Sequence, residues 1–301
     1  MQPDPDPVAG MLTVLDLVSS EARTTEDIFT GRSHPMPSGR IFGGQVLAQA
    51  VIAADRTTAE DRVPHSMHGY FLRPGDAAQG LTISVDRIHD GRSFSTRRAQ
   101  AFQGGVPIFS MIASFEREDP GVEHQERMPD DIPDPETLAA RPSDTATHPL
   151  SRRILAESPI EVLHASGDIY DDVARECESR QVVWMRARRS LGDDPAMHRA
   201  VLAYMSDLTI QEPVLRAHGI TWSRPGLKVA SLDHAMWWHR PARADEWLAY
   251  VQESPSARGG RGLSTGRLFD RDGTLIATVA QEIMIRVPEH GPERGAQRRW
   301  L

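Results

Sequence analysis

Alternating apolar and polar positions predict long strands in this chain. The alternation is clearest in "TLIATVAQEIMIRV", where one face of the strand consists of Leu275, Ala277, Val279, Gln281, Ile283 and Ile285. Two helices are also predicted: "GGQVLAQAVIAADR", which is rich in small residues, and "DPAMHRAVLAYMSDL", which has an apolar stripe at helical spacing. The pattern therefore predicts an α+β fold in which helices pack against a sheet.

The order of a helix followed by several strands occurs twice. An aromatic, strand-like run ends at Arg73 and Pro74 in "MHGYFLRPG", and another ends at Arg240 and Pro241 in "AMWWHRPAR". Such self-similarity indicates an internal duplication. We expect two units, each with one helix wrapped by a curved antiparallel sheet.

A hairpin follows in each copy. The two hairpins align when Ser95 is set on Ser264 and the turn glycine Gly104 on Gly273. This register makes Ile112 the counterpart of Gln281. No carboxylate is present in "GGQVLAQAVIAA" of the first copy, so any polar site is predicted in the second copy alone.

A proline-rich acidic segment, residues 118–149, separates the copies, because prolines at this density interrupt both helix and strand. The predicted domains are an N-terminal unit over 1–119, a linker over 120–150, a C-terminal unit carrying the catalytic group over 151–288, and a polar tail over 289–301.

Composition narrows the class of protein. Hydrophobic residues make up 39% of the 301 residues, which is typical of a soluble globular protein. Neither a membrane span nor a signal peptide is recognisable, so a cytoplasmic location is expected. The net charge of −8 argues against a nucleic-acid partner. The single Cys177 excludes an internal disulfide, and its acidic neighbours argue against a catalytic thiolate.

Two polar residues stand out in apolar surroundings. Asp207 in "AYMSDLTI" borders the apolar stripe of the helix and lies near its C-terminus, where the helix dipole disfavours a negative charge. Asp207 is therefore either a functional residue or a solvated residue on the surface. Gln281 lies on the apolar strand face, where it is either functional or a hydrogen-bonded core glutamine. Ser231 in "VASLDHAMWW" is uninformative alone.

Other motifs are weaker evidence of a functional site. His65 and His68 are three residues apart and so point to opposite faces of a strand, and without a cysteine cluster or HExxH motif we expect no metal. "GLSTG" around Ser264 matches the serine-hydrolase motif, but it lacks the strand-turn-helix setting. Arg258 and Arg261 lie in a glycine-rich loop and are weak candidates for binding the phosphate groups of a ligand. The alternative is that both side chains are simply solvated.

Eight motifs in order, from about Leu12 to about Arg286, resemble the type II acyl-CoA thioesterases, the TesB-like double hotdog enzymes. They are "FGGQVLAQA", "HSMHGYFLRPGD", "DGRSFSTRR", "PIFSMIASF", "EHQERMP", "YMSDL", "LDHAMWWHRP" and "ATVAQE". The resemblance implies two hotdog units and hydrolysis of fatty acyl-CoA to free acid and coenzyme A.

The same resemblance implies a catalytic group of Asp207, Ser231 and Gln281, with serine where the family usually has threonine. They would activate a water molecule without a covalent acyl-enzyme or a cofactor. Gly43 and Gly44 are candidates for the oxyanion site, and His65 is a possible cleft residue. The expected partners are acyl-CoA and a second copy of the chain, because hotdog sheets expose edges.

Two alternatives stay open. A hotdog enoyl-CoA hydratase would share the fold and the ligand, but should have a histidine five residues after the aspartate, where this chain has Glu212. A non-catalytic acyl-CoA binding protein would bind without turnover.

Overall fold

The computed structural model describes residues 6–20, 25–36, 38–140, 157–170 and 177–288. The predicted tail and the part of the predicted linker beyond residue 140 lie outside these ranges. Within them, no helix has the length and apolar character that crossing a membrane requires.

The first half of the chain contains a long helix among six strands. Its elements are α1 (Pro7–Leu15), β1 (Val18–Ser20), β2 (Asp27–Gly31), α2 (Gly43–Asp55), β3 (Val63–Phe71), β4 (Leu81–Asp90), β5 (Phe94–Gln103) and β6 (Val106–Glu116). A short helix, α3 (Pro135–Ala139), follows in the connecting segment.

The second half repeats this plan. Its elements are β7 (Ile160–His164), β8 (Arg180–Ala187), α4 (Pro195–Ser206), α5 (Glu212–Ala217), β9 (Lys228–Ser231), β10 (Asp233–Trp238), β11 (Leu248–Arg258), β12 (Arg261–Phe269) and β13 (Leu275–Arg286). Helix α4 begins with Pro195 after Asp194, whose side chain caps it by accepting from the N–H of Ala196 at 2.9 Å.

All thirteen strands of the described residues form one antiparallel sheet, in the order β1-β2-β4-β5-β6-β3-β10-β13-β12-β11-β8-β7, with β9 also paired to β13. The two halves join where β3 pairs with β10, with Met67 opposite Met236. The hydrogen-bonded sheet thus runs without a break from one half into the other.

Helices α2 and α4 pack against each other in the core, one from each half. The contact is close enough that a Cβ atom on Gly44 would collide with the carbonyl oxygen of Tyr204. Alanines and glycines in α2 allow this approach, which explains why the helix is rich in small residues and buried on nearly every side.

A repeated hydrogen-bond pattern fixes which residues of the two halves correspond. Ile108 accepts from the N–H groups of Leu72 and Arg73, and Ile276 accepts from those of His239 and Arg240. A bulge lies at this point in both hairpins. Residues 108 and 276 are therefore equivalent, as are the residues five positions further on, Ala113 and Gln281.

The register predicted from the sequence was wrong by one residue on this strand. Ile112 is 52% exposed, whereas its neighbour Ala113 is buried on the face that corresponds to Gln281. The error came from aligning the turn glycines, because the second hairpin turn, residues 270–274, is longer than the two-residue turn at 104–105. A slip of one residue moves a strand side chain to the opposite face.

Candidate active site

Asp207 follows the last residue of α4 and is 3% exposed, so the surface alternative is wrong. Its carboxylate lies at the N-terminus of α2, where it accepts a hydrogen bond from the backbone N–H of Gly44. A Cβ on Gly43 would come within 2.6 Å of Asp207 Oδ2, so a side chain there would displace the carboxylate. The N-terminal end of the α2 dipole stabilises the negative charge that α4 itself disfavours.

Ser231 and Gln281 lie beside this carboxylate. The hydroxyl of Ser231, at the end of β9, donates to Asp207 Oδ1 at 3.3 Å. The side-chain amide of Gln281 donates to Ser231 Oγ at 3.0 Å and also to the Asp207 carboxylate. The structure therefore brings together all three residues that the resemblance singled out.

The hydrogen-bond chain continues to two residues that the sequence analysis missed. His234 Nδ1 is hydrogen-bonded to Gln281 Oε1, and His234 Nε2 lies 2.9 Å from Ser206 Oγ. Because an amide oxygen can only accept, His234 has its proton on Nδ1. Its Nε2 lies beside the Ser206 hydroxyl, whose single hydrogen also has the carbonyl oxygen of Ala203 as an acceptor at 2.9 Å. The chain thus runs from Ser206 through His234, Gln281 and Ser231 to Asp207, and its donor directions are determined from His234 onward.

Burial sets the protonation states at the two ends of this chain. Burial raises the pKa of Asp207 from 3.8 to about 6, against the hydrogen bonds from Gln281, Ser231 and Gly44, which lower it. Burial lowers the pKa of His234 to about 4, so that its imidazole is neutral near pH 7. The site therefore holds one carboxylate that titrates close to neutrality and no compensating cation in the chain of hydrogen bonds.

Gln211 is the second polar side chain on Ser231. Its Nε2 donates to Ser231 Oγ at 2.9 Å from the segment that leads into α5. No pattern in the sequence singles out Gln211, since a glutamine between two predicted elements is typical of a solvated position. With two N–H groups pointing at its oxygen, the Ser231 hydroxyl is left to donate only to Asp207.

A cavity of about 710 Å³ opens in front of the carboxylate. Asp207, Ser231, Gln211 and Gly43 lie on its wall, whereas Gln281 does not and is fully buried behind them. The rest of the wall is largely apolar and comes from both halves, including Met36, Ile41, Phe42, Val46, Phe71, Ile108, Phe109, Leu208, Trp222, Val229 and Met284. Such a wall suits an apolar chain whose polar end reaches the carboxylate.

The remaining candidates lie elsewhere, apart from Gly43 and Gly44. His65 lies on a different cavity together with Arg199 and Trp238. Arg258 and Arg261 line a third cavity of about 570 Å³. The structure therefore does not bring these three predicted residues to Asp207.

Ser264 lies within β12, opposite Gln281 in the ladder, and is fully buried. It is on no strand-to-helix turn, so the GLSTG match has no serine-hydrolase geometry. Within the described ranges, no three His, Cys, Asp or Glu residues are grouped as a metal site would require.

Comparison with known proteins identifies the family. Profiles described as "Acyl-CoA thioesterase N-terminal domain" and "Acyl-CoA thioesterase" match residues 32–116 and 173–284. "Acyl-coenzyme A thioesterase 8" of Homo sapiens is 41% identical over 275 residues, covering 87% of this chain and 85% of that protein. "Acyl-CoA thioesterase 2" of Haemophilus influenzae is 36% identical over 268 residues, covering 87% and 93%.

Solved structures agree on the fold. The acyl-CoA thioesterase II TesB2 of Mycobacterium marinum superposes with a TM-score of 0.76 at 41% identity, covering 92% of this chain and 98% of that one. A protein described as having a hot dog fold, from Alicyclobacillus acidocaldarius, superposes with a TM-score of 0.73 at 20% identity, covering 92% and 98%. The double hotdog fold expected from the sequence is confirmed.

Proposed function

The chain belongs to the acyl-CoA thioesterase family, and we propose that it hydrolyses fatty acyl-CoA by direct attack of a water molecule that Asp207 deprotonates. The observation that supports this most is a buried carboxylate on the wall of a largely apolar cavity, held by three hydrogen bonds, with its pKa raised to about 6. At pH 7 such a group is ionised and still basic enough to accept a proton.

The proposed reaction has two steps. Asp207 removes a proton from water as the water oxygen bonds to the thioester carbonyl carbon, which produces a tetrahedral oxyanion. The carbon–sulfur bond then breaks, and the proton on Asp207 passes to the departing thiolate sulfur. Fatty acid and coenzyme A leave, and Asp207 is again ionised.

Ser231 and Gln281 have different tasks in this scheme. Ser231 lies on the cavity wall and donates to Asp207 Oδ1, so it leaves Oδ2 for the water. Gln281 contacts no part of the cavity and is a positioning residue, because its amide orients Ser231 and lowers the pKa of Asp207. His234 fixes the direction of that amide from behind.

The oxyanion needs donors on the opposite side of the reacting carbon. Gly43 lies on the cavity wall in the first turn of α2, where backbone N–H groups have no acceptor within the helix. Gln211 uses one of its two amide hydrogens on Ser231, which leaves the other for a ligand in the cavity. We assign the oxyanion to these two groups.

Direct attack by water is favoured over a covalent acyl-enzyme by the surroundings of the nucleophilic side chains. Ser231 Oγ accepts two N–H bonds and donates to a carboxylate, and no histidine contacts it in the described residues. Cys177 is exposed and lies outside the cavity. A serine or cysteine nucleophile normally has an adjacent base that orients it for attack.

The hydratase alternative finds no support at Glu212. That side chain is buried, with Oε2 at 2.9 Å from both His164 Nε2 and Gln181 Nε2, and Oε1 accepts from the Trp222 indole at 3.2 Å. It belongs to a separate hydrogen-bonded cluster beside the helix α5. Where a hotdog hydratase should have its catalytic histidine, this chain has a carboxylate whose oxygens are hydrogen-bonded to other side chains of the protein.

Incubating the purified protein with acyl-CoA and a thiol reagent tests the proposal. Release of free thiol supports thioester hydrolysis, whereas loss of enoyl absorbance with an enoyl-CoA substrate would identify a hydratase, and neither signal would identify a binding protein. The intact mass of the protein during turnover tests the direct attack, because a covalent intermediate would add the mass of the acyl group.

A further inference from the structure

The catalytic site has a counterpart on the other side of the helix pair. Asp207 is twelve residues after Pro195, where α4 begins, and Asp55 is twelve residues after Gly43, where α2 begins. Asp55 faces the N-terminus of α4, as Asp207 faces that of α2. The stretch "GGQVLAQAVIAA" has no carboxylate, as the sequence analysis states, but Asp55 follows directly after it.

The groups that hold Asp207 are absent from this counterpart. The shared bulge after Pro64 and Ser231 makes these two residues equivalent, since Pro64 is paired with Phe115 and Ser231 with Ile283. Ala113 stands in place of Gln281. Proline and alanine offer no hydrogen-bond donor, and Asp55 Oδ1 is buried without a partner.

Asp55 lines the smaller of two adjoining cavities. The smaller, about 170 Å³, is lined by Asp55 together with Val51, Ile52 and Met197. The larger, about 600 Å³, contains His65 and Trp238. Pro64 and Arg199 line both cavities and so connect them.

Unsatisfied polar atoms are concentrated at these cavities. In the part of the chain that the structure describes, six buried side-chain nitrogen or oxygen atoms have no hydrogen-bond partner, and four of them belong to Asp55, His65, Arg199 and Trp238. Trp238 is only 8% exposed. Buried polar groups are nearly always paired, so such a concentration indicates a place where a ligand completes the hydrogen bonds.

The charges select the class of ligand. Arg199 offers a positive charge that forms no ion pair within 4 Å among the described residues, although the carboxyl groups of Asp55 and Asp194 line the smaller cavity with it. Arginine N–H and the Trp238 indole N–H both require acceptors, as a carboxylate supplies. Four acids on the wall of the larger cavity, Glu116, Glu118, Asp119 and Glu123, outnumber its three arginines, Arg117, Arg199 and Arg240, which disfavours the several phosphate charges of a nucleotide.

We propose that this counterpart is a second ligand site, which binds the carboxylate of a fatty acid at Arg199 and the start of its chain against Val51, Ile52 and Met197. Burial raises the pKa of Asp55, so this group can be protonated and donate to the bound carboxylate. The site lacks the hydroxyl and amide that hold Asp207, so it retains the ligand without hydrolysing a thioester.

Titration calorimetry with decanoate tests the site by binding alone. The catalytic cavity is first saturated with a non-hydrolysable thioether analogue of decanoyl-CoA. The saturated wild-type protein should then bind one decanoate per chain, and decanol at least 10-fold more weakly because it lacks the charge. Arg199→Gln should weaken decanoate binding at least 10-fold while thioesterase activity stays at the wild-type level.

Arg87→Gln is the matched control, since Arg87 pairs with Asp27 on the outside of the first half and lines neither cavity. Wild-type binding in Arg199→Gln, or no decanoate binding to the saturated protein, would overturn the second site. If the thioether analogue itself does not bind, the proposed function fails, and decanoate binding that Arg199→Gln removes still supports the second site.

Discussion

His234 donates through Nδ1 to Oε1 of Gln281, and this one bond decides which way the Gln281 amide faces. With the oxygen held at His234, the nitrogen must point to Ser231 and Asp207, both of which accept. A neutral histidine that lies outside the cavity thereby orients the amide that lowers the pKa of the carboxylate on the cavity wall.

Asp207→Asn should lower kcat at least ~100-fold, the usual scale for loss of a general base. The amide has the shape of the carboxylate, so acyl-CoA should still bind. Steady-state kinetics and a binding titration with the thioether analogue measure the two effects. Near-normal turnover in the folded variant would remove Asp207 from the mechanism.

The pH profile should follow ionisation of Asp207. The base is active when deprotonated, so kcat/KM should rise with pH, with an apparent pKa of about 6. Gln281→Leu removes a hydrogen bond that lowers this pKa, and its profile should therefore move to higher pH. An unchanged profile in Gln281→Leu would show that another group titrates.

Asp207 should also make the fold less stable at neutral pH. Because its pKa is higher in the folded protein than the unfolded value of 3.8, its contribution to stability is full below pH 3.8 and is lost as pH rises through about 6. Two pKa units correspond to roughly 3 kcal/mol. Denaturant unfolding should find Asp207→Asn more stable than wild type at pH 8, with the difference shrinking towards pH 4.

The difference between the two halves can be tested on equivalent strands. Gln281→Ile should fold, since an apolar group can replace a buried amide at little cost in stability. Its kcat should fall roughly 100-fold, because Ser231 is no longer positioned by the amide. Its controls are Ala113→Val at the equivalent buried position and Ile112→Val on the exposed face. Both control variants should hydrolyse acyl-CoA at the wild-type rate. Loss of turnover in either folded control would contradict the placement of the site in the second half.

Assembly of whole chains is predicted from the ends of the sheet. The outermost strands, β1 and β7, have one edge without a partner strand in the described residues, and exposed edges are normally covered. We expect at least a homodimer. Light scattering at micromolar concentration checks this, and a stable monomer would contradict it.

The sequence predicted more of the site than of the register. The burial of Gln281 could be predicted because its alternation with Val279 and Ile283 places it on an apolar face, and the structure buries it fully. Ile112 was misplaced because turn length, which no periodicity reports, sets the alignment of the hairpins. The same misalignment put Ser95 on Ser264, whereas pairing to Ala113 and Gln281 makes Arg97 the equivalent residue.

Gln211 and Asp55 show a second limit of prediction from the sequence. Neither is unusual for its local sequence, and each matters only because another part of the chain folds against it. Gln211 reaches Ser231 across 20 positions, and Asp55 meets α4 of the other half. Such residues become visible only when the three-dimensional arrangement of the duplicated halves is known.

The antiparallel packing of α2 and α4 gives the duplication its evolutionary meaning. Each helix ends in an aspartate that lies beside the start of the other helix, as expected if two identical subunits once shared two equal sites at their interface. Fusion into one chain released the subunits from identity, because mutations in one half no longer appear in both. Pro64 and Ala113 are what such freedom permits: the second half has Ser231 and Gln281 beside its aspartate, whereas the first half has neither the hydroxyl nor the amide.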